Sequence, residues 1–399
     1  MKKVNMLGRC LSLLILVFGA PLPGLSADVD GDLIDDAWEA VYGLDSGDIN
    51  DALLDTDGDG HIARDEFYAD THPGQVGSSL DLTQVSVSAA GLVSLTWTTE
   101  VEGQTAVPSY NVLSLDQELV SGGTWSILKN NLAAGGVTTT TTDDASGLNA
   151  FIRFYRPVIN GASFAGTVTL GGVAKYSLSE GKSYVGVPLE PATSTVLGVL
   201  GIDQLPGGDS LANATTVDVW DQTTQSISER YWLSDIGGAE GWYKSDAVTS
   251  ADNEPIDLSK GIIITIRAGA GPQSLYVAGT VPNLPDSQDI EGPGYTLVSL
   301  QYPSPLALSD SELVASGFQG HGSFGILSDW ILIFDESTGR FDKKIWFETG
   351  TQTWRYLATA EEANDEVLSP GKPFLVRRRA TGDFTWNNPL PGTPQISIT

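Results

Sequence analysis

Matched segments recur at a nearly constant offset across residues 184–374, and that recurrence limits what the larger part of the chain can fold into. Tyr184-Val-Gly-Val187-Pro-Leu189 is answered by Tyr295-Thr-Leu-Val298-Ser-Leu300, and Val217-Asp-Val-Trp220-Asp221 by Ile331-Leu-Ile-Phe334-Asp335. Arg230-Tyr-Trp232 pairs with Lys344-Ile-Trp346, Gly241-Trp242-Tyr with Thr353-Trp354-Arg, and Leu258-Ser-Lys-Gly261 with Leu368-Ser-Pro-Gly371. The offset stays between 110 and 114 and the order is kept. Such self-similarity is the mark of a repeated structural unit. Each copy alternates short Val-, Ile-, Thr- and Trp-rich runs with Gly, Pro and Asp turns, the pattern of β-strands in a turn-rich protein. Two β-rich repeats are expected, at 165–285 and 286–390, with 391–399 as a tail. Sequence leaves open whether they form a pseudo-symmetric pair or one merged sandwich.

Upstream, residues 80–159 carry strand candidates at 85–87, 92–98, 110–115, 124–128, 137–142 and 151–158. Val93, Leu95 and Trp97 alternate within the second, as in a half-buried antiparallel strand. The Leu95-Thr-Trp97, Trp125-Ser-Ile127-Leu128 and Phe154-Tyr155-Arg156 landmarks resemble a fibronectin type III-like module. The resemblance implies a β-sandwich spacer or interaction module without a catalytic centre.

Residues 28–75 are of another kind, with 15 Asp and Glu against a single Arg. Asp55-Thr-Asp57-Gly-Asp59-Gly60-His61-Ile62-Ala63-Arg-Asp-Glu66 matches the loop pattern D-x-[DN]-x-[DN]-G-x5-E. A hard cation needs six to eight oxygens, and this spacing wraps one loop around a single calcium ion. Asp55, Asp57 and Asp59 would each give a carboxylate oxygen, His61 its backbone carbonyl, Ala63 a water, and Glu66 both oxygens. A related unit lies 27 residues earlier, with Asp28, Asp30, Asp32 and Glu39 at matching positions, Ile34 at the carbonyl position and Asp36 at position nine. It departs at position six, where Leu33 replaces glycine. A left-handed conformation there would cost about 1–2 kcal/mol, so the first site is expected to be weaker or of different shape. Each loop runs into a short helix, and Trp38, Val41, Tyr42 and Phe67 are placed to pack between them. With the Gly43-Leu44-Asp45 link and the closing Thr71-His-Pro73, the pair resembles bacterial thrombospondin type-3-like, EF-hand-type calcium repeats. That resemblance implies two calcium ions. Dockerin modules share the loop but end it in Asp at position twelve, where both loops here have Glu.

The chain opens like a secretory leader: Lys2, Lys3 and Arg9, an apolar run from Leu11 to Phe18, and a small-residue cleavage site at Leu25-Ser26-Ala27. Cys10 is the only cysteine, so without residues 1–27 no disulfide is available. Losing that segment removes three basic groups and no acid, taking the net charge from −29 to −32. Such a surface disfavours nucleic acid, for which a basic stripe is needed. Arg377-Arg378-Arg379 is the nearest approach to one, and a strand edge or local salt bridges is the favoured reading of it. No later stretch is long and apolar enough to span a bilayer.

Candidate chemistry in the repeats is sparse. Gly320-His321-Gly322-Ser323-Phe324-Gly325 fails the G-x-S-x-G pattern, and no second histidine follows His72 to serve Ser323. Asp221, Glu229, Asp335 and Glu348 are available for paired-carboxylate glycoside chemistry, which needs two acids about 5–10 Å apart. Asp221 and Asp335 also stand where a turn cap is expected. Trp242 and Trp354 recur in both copies and would suit sugar stacking, although core packing demands the same recurrence. The expectation is a mainly β protein: a calcium-binding helical segment, a fibronectin III-like sandwich and two tandem β-rich repeats. Its expected role is non-catalytic, exported and calcium-binding, in adhesion, matrix structure or partner binding toward an extracellular protein or polysaccharide. Carbohydrate binding in a polysaccharide-degrading system is the alternative, and a glycoside hydrolase a further one.

Overall fold

The computed structural model describes residues 28–398 apart from 59–60, 70, 77, 79, 99–108, 120–123, 136–137, 160–168, 283–285, 336–337 and 389–396. The leader-like residues 1–27, Asp59 and Gly60 therefore lie outside the described residues. The chain divides into two units, one holding residues up to 67 with 72–76, the other 68–71 with 77–399.

The larger unit is mainly β, built of several antiparallel sheets. Leu82–Val87, Leu92–Thr98 and Thr138–Asp144 form a three-stranded sheet. Val93, Leu95 and Trp97 point to its buried face at 0% exposure, as the alternation required. Against it lies a six-stranded sheet in the order Gln273–Thr280, Gly171–Leu178, Ile152–Ile159, Ser109–Leu115, Thr124–Ala133 and Ser397–Ile398. Val173 and Tyr276 share one apolar cluster with Leu82, Leu95 and Trp97.

This departs from the expected boundaries. Strands at 171–178 and 273–280 continue the sheet begun by residues 109–159, so the break between 159 and 165 does not separate two cores. The layers approach closely there: a Cβ at Gly171 would lie 2.4 Å from Leu82 Cδ2 and 2.6 Å from Val85 Cγ2, so a side chain at this position would have to push both aside. The end of the chain is not a bare tail either, since Ser397 and Ile398 pair in parallel with Thr124 and Trp125.

Two five-stranded sheets make up the rest. Numbered by chain order, the first takes Gly181–Val185, Thr216–Asp221, Ser226–Ser234, Gly241–Lys244 and Ile262–Ile266. The second takes Gly294–Val298, Trp330–Asp335, Arg340–Glu348, Thr353–Tyr356 and Phe374–Arg378. Both run fourth, third, second, fifth, first across the sheet. Equivalent residues hold equivalent bonds. Trp242 N–H donates to Asp252 Oδ1 and Trp354 N–H to Asn364 Oδ1, each at 2.8 Å.

Contacts between the two sheets are reciprocal. Gly186 N–H donates to Gly371 O at 3.0 Å, and, two residues from the matching positions, Ser299 N–H donates to Ser259 O at 2.7 Å. Tyr184 packs on Phe334 with ring centres 4.7 Å apart, while Trp220 Nε1 donates to Tyr295 O at 3.2 Å. Residue i of one sheet meeting residue j of the other, and the converse, is the property of a two-fold interface. The sheets are thus related pseudo-symmetrically. They keep separate cores, one around Val217, Trp242 and Ile264 and the other around Ile331, Trp354 and Phe374.

The smaller unit has two short helices, Asp36–Tyr42 and Ala63–Ala69, and a 3-10 turn, Asp51–Leu53. Its core is small: Ile34, Ala52 and Ala63, with Trp38, Leu44 and Phe67 packed on them. Trp38 meets Phe67 edge to face at 5.4 Å. None of the described helices is long and apolar enough to cross a membrane.

Candidate metal centre

The first loop is shaped by its own carboxylates. Asp28 Oδ1 accepts from Gly31 N–H at 2.8 Å and its Oδ2 from Leu33 N–H at 3.3 Å. Asp30 Oδ1 accepts from Asp32 N–H at 3.2 Å, and Asp32 Oδ1 from Ile34 N–H at 2.7 Å. Each aspartate thereby spends one oxygen or more on turning the backbone, the usual Asx behaviour. Asp35 caps the helix by accepting from Ala37 N–H at 2.9 Å, and Gly43, with φ 80°, ends it. The helix carries Glu39 back over the loop, where Ile34, fully buried, anchors the chain.

Carboxylate oxygens converge as a result. Those of Asp28, Asp30 and Asp32 lie within 4.8 Å of one another, and so do those of Asp32, Glu39 and Asp51. Glu39 is 0% exposed, Asp32 4% and Asp51 7%. Both oxygens of Glu39, Oδ2 of Asp30 and Asp32, and Oδ1 of Asp51 are buried without a hydrogen-bond donor. Burial pushes the Glu39 carboxyl up from 4.5 to about 7, aided by the negative charges of Asp32, Asp30, Asp51 and Asp36. Asp32 is raised for the same reasons, burial first, then Asp30, Asp28 and Asp51. Bringing several carboxylates together, dry and without donors, is costly unless a cation joins them.

Position six of this loop does take the left-handed conformation, with Leu33 at φ 77°. Its side chain is 46% exposed, so little packing compensates. Leu33→Gly should relieve about 1–2 kcal/mol of strain. Glycine's extra freedom in the unfolded chain returns roughly 0.5–1 kcal/mol of that. The net expectation is a gain of up to about 1 kcal/mol in the smaller unit, read as a higher unfolding midpoint of that segment. An unchanged or lower midpoint would contradict the strain assignment.

The clusters differ from the sequence expectation at two residues. Asp36, expected as the ninth-position ligand, uses Oδ1 to accept from Val29 N–H at 3.0 Å and is absent from both clusters. As the first residue of the helix, it ties the loop's start to its end. Asp51, twelve residues beyond Glu39, occupies the centre instead.

The second loop begins in the same way. Asp55 Oδ1 accepts from Gly58 N–H at 2.8 Å, and Gly58 and Gly31 share φ 81°. Glu66 is 1% exposed, and Asp57 and His61 are half-buried. With Asp59 and Gly60 outside the described residues, Asp55, Asp57 and Glu66 close no cluster within 4.8 Å among the described residues.

The other sequence candidates are engaged elsewhere. Trp242 and Trp354 are 0% and 3% exposed. Trp242 Nε1 donates to Gly201 O at 2.7 Å, and Trp354 is edged by Phe318 and Phe347. Neither ring offers a face to a sugar, because each closes a sheet core. Asp221 Oδ1 accepts from Thr223 and Thr224 N–H. Hydrogen bonds from Thr224 and Thr223 hold its carboxyl below the usual range. Glu348 accepts from Thr351 Oγ1 and Arg355 Nε, both at 2.6 Å, and is lowered by those bonds. Glu229 faces Lys244 Nζ at 3.7 Å. Asp335 ends its strand at a turn, its carbonyl accepting from Gly339 N–H at 2.8 Å. His321 Nδ1 accepts from the N–H groups of Ser323 and Phe324, which makes it a loop cap rather than a base for Ser323. Arg378 forms a buried pair with Asp329 at 3.2 Å, and Arg377 lies over the Trp330 ring at 4.2 Å.

No protein family, curated protein or solved structure matches the chain.

Proposed function

We propose that this is a non-catalytic, exported, calcium-binding modular protein, whose acidic segment holds calcium and whose β-rich body serves adhesion, matrix structure or binding to an extracellular protein or polysaccharide. The observation that carries the metal reading is Glu39, a fully buried carboxylate with neither oxygen hydrogen-bonded, beside the buried, donor-less Oδ2 atoms of Asp30 and Asp32. Its oxygen-only donor set suits a hard cation, and calcium accepts it in a flexible coordination shell. In the first loop Asp28, Asp30, Asp32 and Glu39 would hold the ion; in the second Asp55, Asp57, Asp59 and Glu66 would, with His61 giving its carbonyl. Calcium, when bound, would supply the positive charge that this cluster lacks. The segment's apolar core is too slight to hold it together unaided, since so short a unit buries little surface.

In this reading residues 28–75 are thrombospondin type-3-like, EF-hand-type repeats. The sandwich of residues 80–159 is fibronectin III-like, completed by strands from the following repeat. The paired sheets are a duplicated unit, and residues 1–27 a cleaved leader. The engagement of Asp221, Glu229 and Glu348 as turn caps and ion pairs supports the non-catalytic assignment. Calorimetric titration of the chain without residues 1–27 at pH 7.5 tests the metal reading. Two calcium ions are expected, with affinities of about 10⁻⁴ M or tighter, in the extracellular range. No calcium binding at millimolar concentration would overturn it.

A further inference from the structure

Asp51 belongs to neither twelve-residue loop, and no spacing rule marks it. It opens the 3-10 turn Asp51–Leu53 in the connector between the loops. One oxygen, Oδ2, accepts from Asp45 N–H at 2.6 Å, which fixes the carboxylate's orientation. The other, Oδ1, is buried without a donor and lies in the cluster with the dry oxygens of Asp32 and Glu39. A carboxylate anchored by one oxygen, with the second beside the donor-less oxygens of Asp32 and Glu39, is arranged as a ligand. As a structural acceptor its Asp45 bond would suffice, and exposure of the other oxygen to water would be the cheaper state.

We propose that Asp51 is a ligand of the first cation site, so that this site is closed by the connector together with its own loop. The inference rests on the cation-binding reading of this segment. It also gives the connector a reason for its shape. Ala52, next to Asp51, is in the unit's core, and Leu54 O accepts from Ala63 N–H at 2.9 Å at the start of the second helix. Filling the first site would therefore pin the chain entering the second loop. Asp36 is not needed as a ligand, since its oxygen is committed to Val29 N–H.

The test is calcium titration of wild type, Asp51→Asn and Asp48→Asn, with terbium luminescence as a second readout. Asp48→Asn removes the same charge from the same connector, at an exposed position where the Asp48 carboxylate accepts from Asn50. Asp51→Asn should weaken one site by about tenfold or more, the loss typical when a coordinating shell is altered, while Asp48→Asn changes it less than twofold. The metal-free Asp51→Asn protein should resist protease at least as well as wild type, because a repelling charge has gone. That result separates a lost ligand from a damaged fold. If Asp51→Asn binds two calcium ions as tightly as wild type, Asp51 is not a ligand, yet the cation reading survives. If wild type binds none, both fall.

Discussion

Trp242→Ala and Trp354→Ala are each expected to destabilise the β-rich body by about 3–5 kcal/mol, the cost of emptying a large aromatic site in a core. A domain's whole stability is about 5–15 kcal/mol, so either substitution should lower its denaturant midpoint severely. Trp242→Ala would also strip Gly201 O of its Nε1–H donor and leave a buried carbonyl unpaired. Trp354→Ala would open the space between Phe318 and Phe347, whose rings lie 5.0 and 5.1 Å away. Phenylalanine in place of Trp354 should cost less, since it keeps the edge contacts. The sugar-stacking alternative predicts the reverse pattern: stability within about 0.5 kcal/mol of wild type, the range of ordinary surface substitutions, and glycan binding lost.

Those tryptophans were visible as paired landmarks because strand alternation and turn residues are local signals. The matching strand order of the two five-stranded sheets lies along those same landmarks. What local signals could not convey was which edges join. Strands 171–178 and 273–280 fall inside the expected first repeat, yet they complete the sheet of residues 109–159. That join brings Gly171 against Leu82, a contact between residues far apart in sequence. The reciprocal contacts of Tyr184 with Phe334 and Trp220 with Tyr295 are invisible for the same reason.

Calcium is expected to stabilise the smaller unit strongly at pH 7.5 and weakly at pH 5. Free calcium at a hundredfold excess over its dissociation constant contributes about 2.7 kcal/mol, which for so small a unit separates protease-resistant from open chain. The pH dependence follows from Glu39. Its folded, metal-free pKa is about 7 against an ordinary 4.5, so between those values the folded chain holds a proton that the unfolded chain has released. Stability of the metal-free unit from this group is therefore greatest below pH 4.5 and is lost as pH rises through 7. Cation binding must displace that proton, so apparent calcium affinity should fall by up to roughly tenfold per pH unit below about 7. Glu39→Gln should stabilise the metal-free unit near pH 7.5, flatten its pH profile and weaken the first site. Limited proteolysis in calcium or in chelator, at pH 5.5 and 7.5, reads both effects. Identical cleavage in all four conditions would contradict them.

The loop aspartates could be read from spacing alone, since backbone turns set by Asx residues depend only on near neighbours. Asp36 and Asp51 show the limit of that reading. Position nine sits at the first residue of the helix, where its carboxylate is close enough to cap Val29 N–H and is drawn there. Asp51 reaches the centre only because a 3-10 turn and the buried Ala52 fold the connector back, which no periodicity encodes.

The central claim is that the dry carboxylates around Glu39 are held by a cation. Crystals grown in millimolar calcium, with data collected at a wavelength where calcium scatters anomalously, test it most directly. The account predicts an anomalous peak within coordination distance of Asp30, Asp32 and Glu39, with Asp51 as a further ligand. No peak there, with the Glu39 oxygens instead hydrogen-bonded to protein or water, would contradict it.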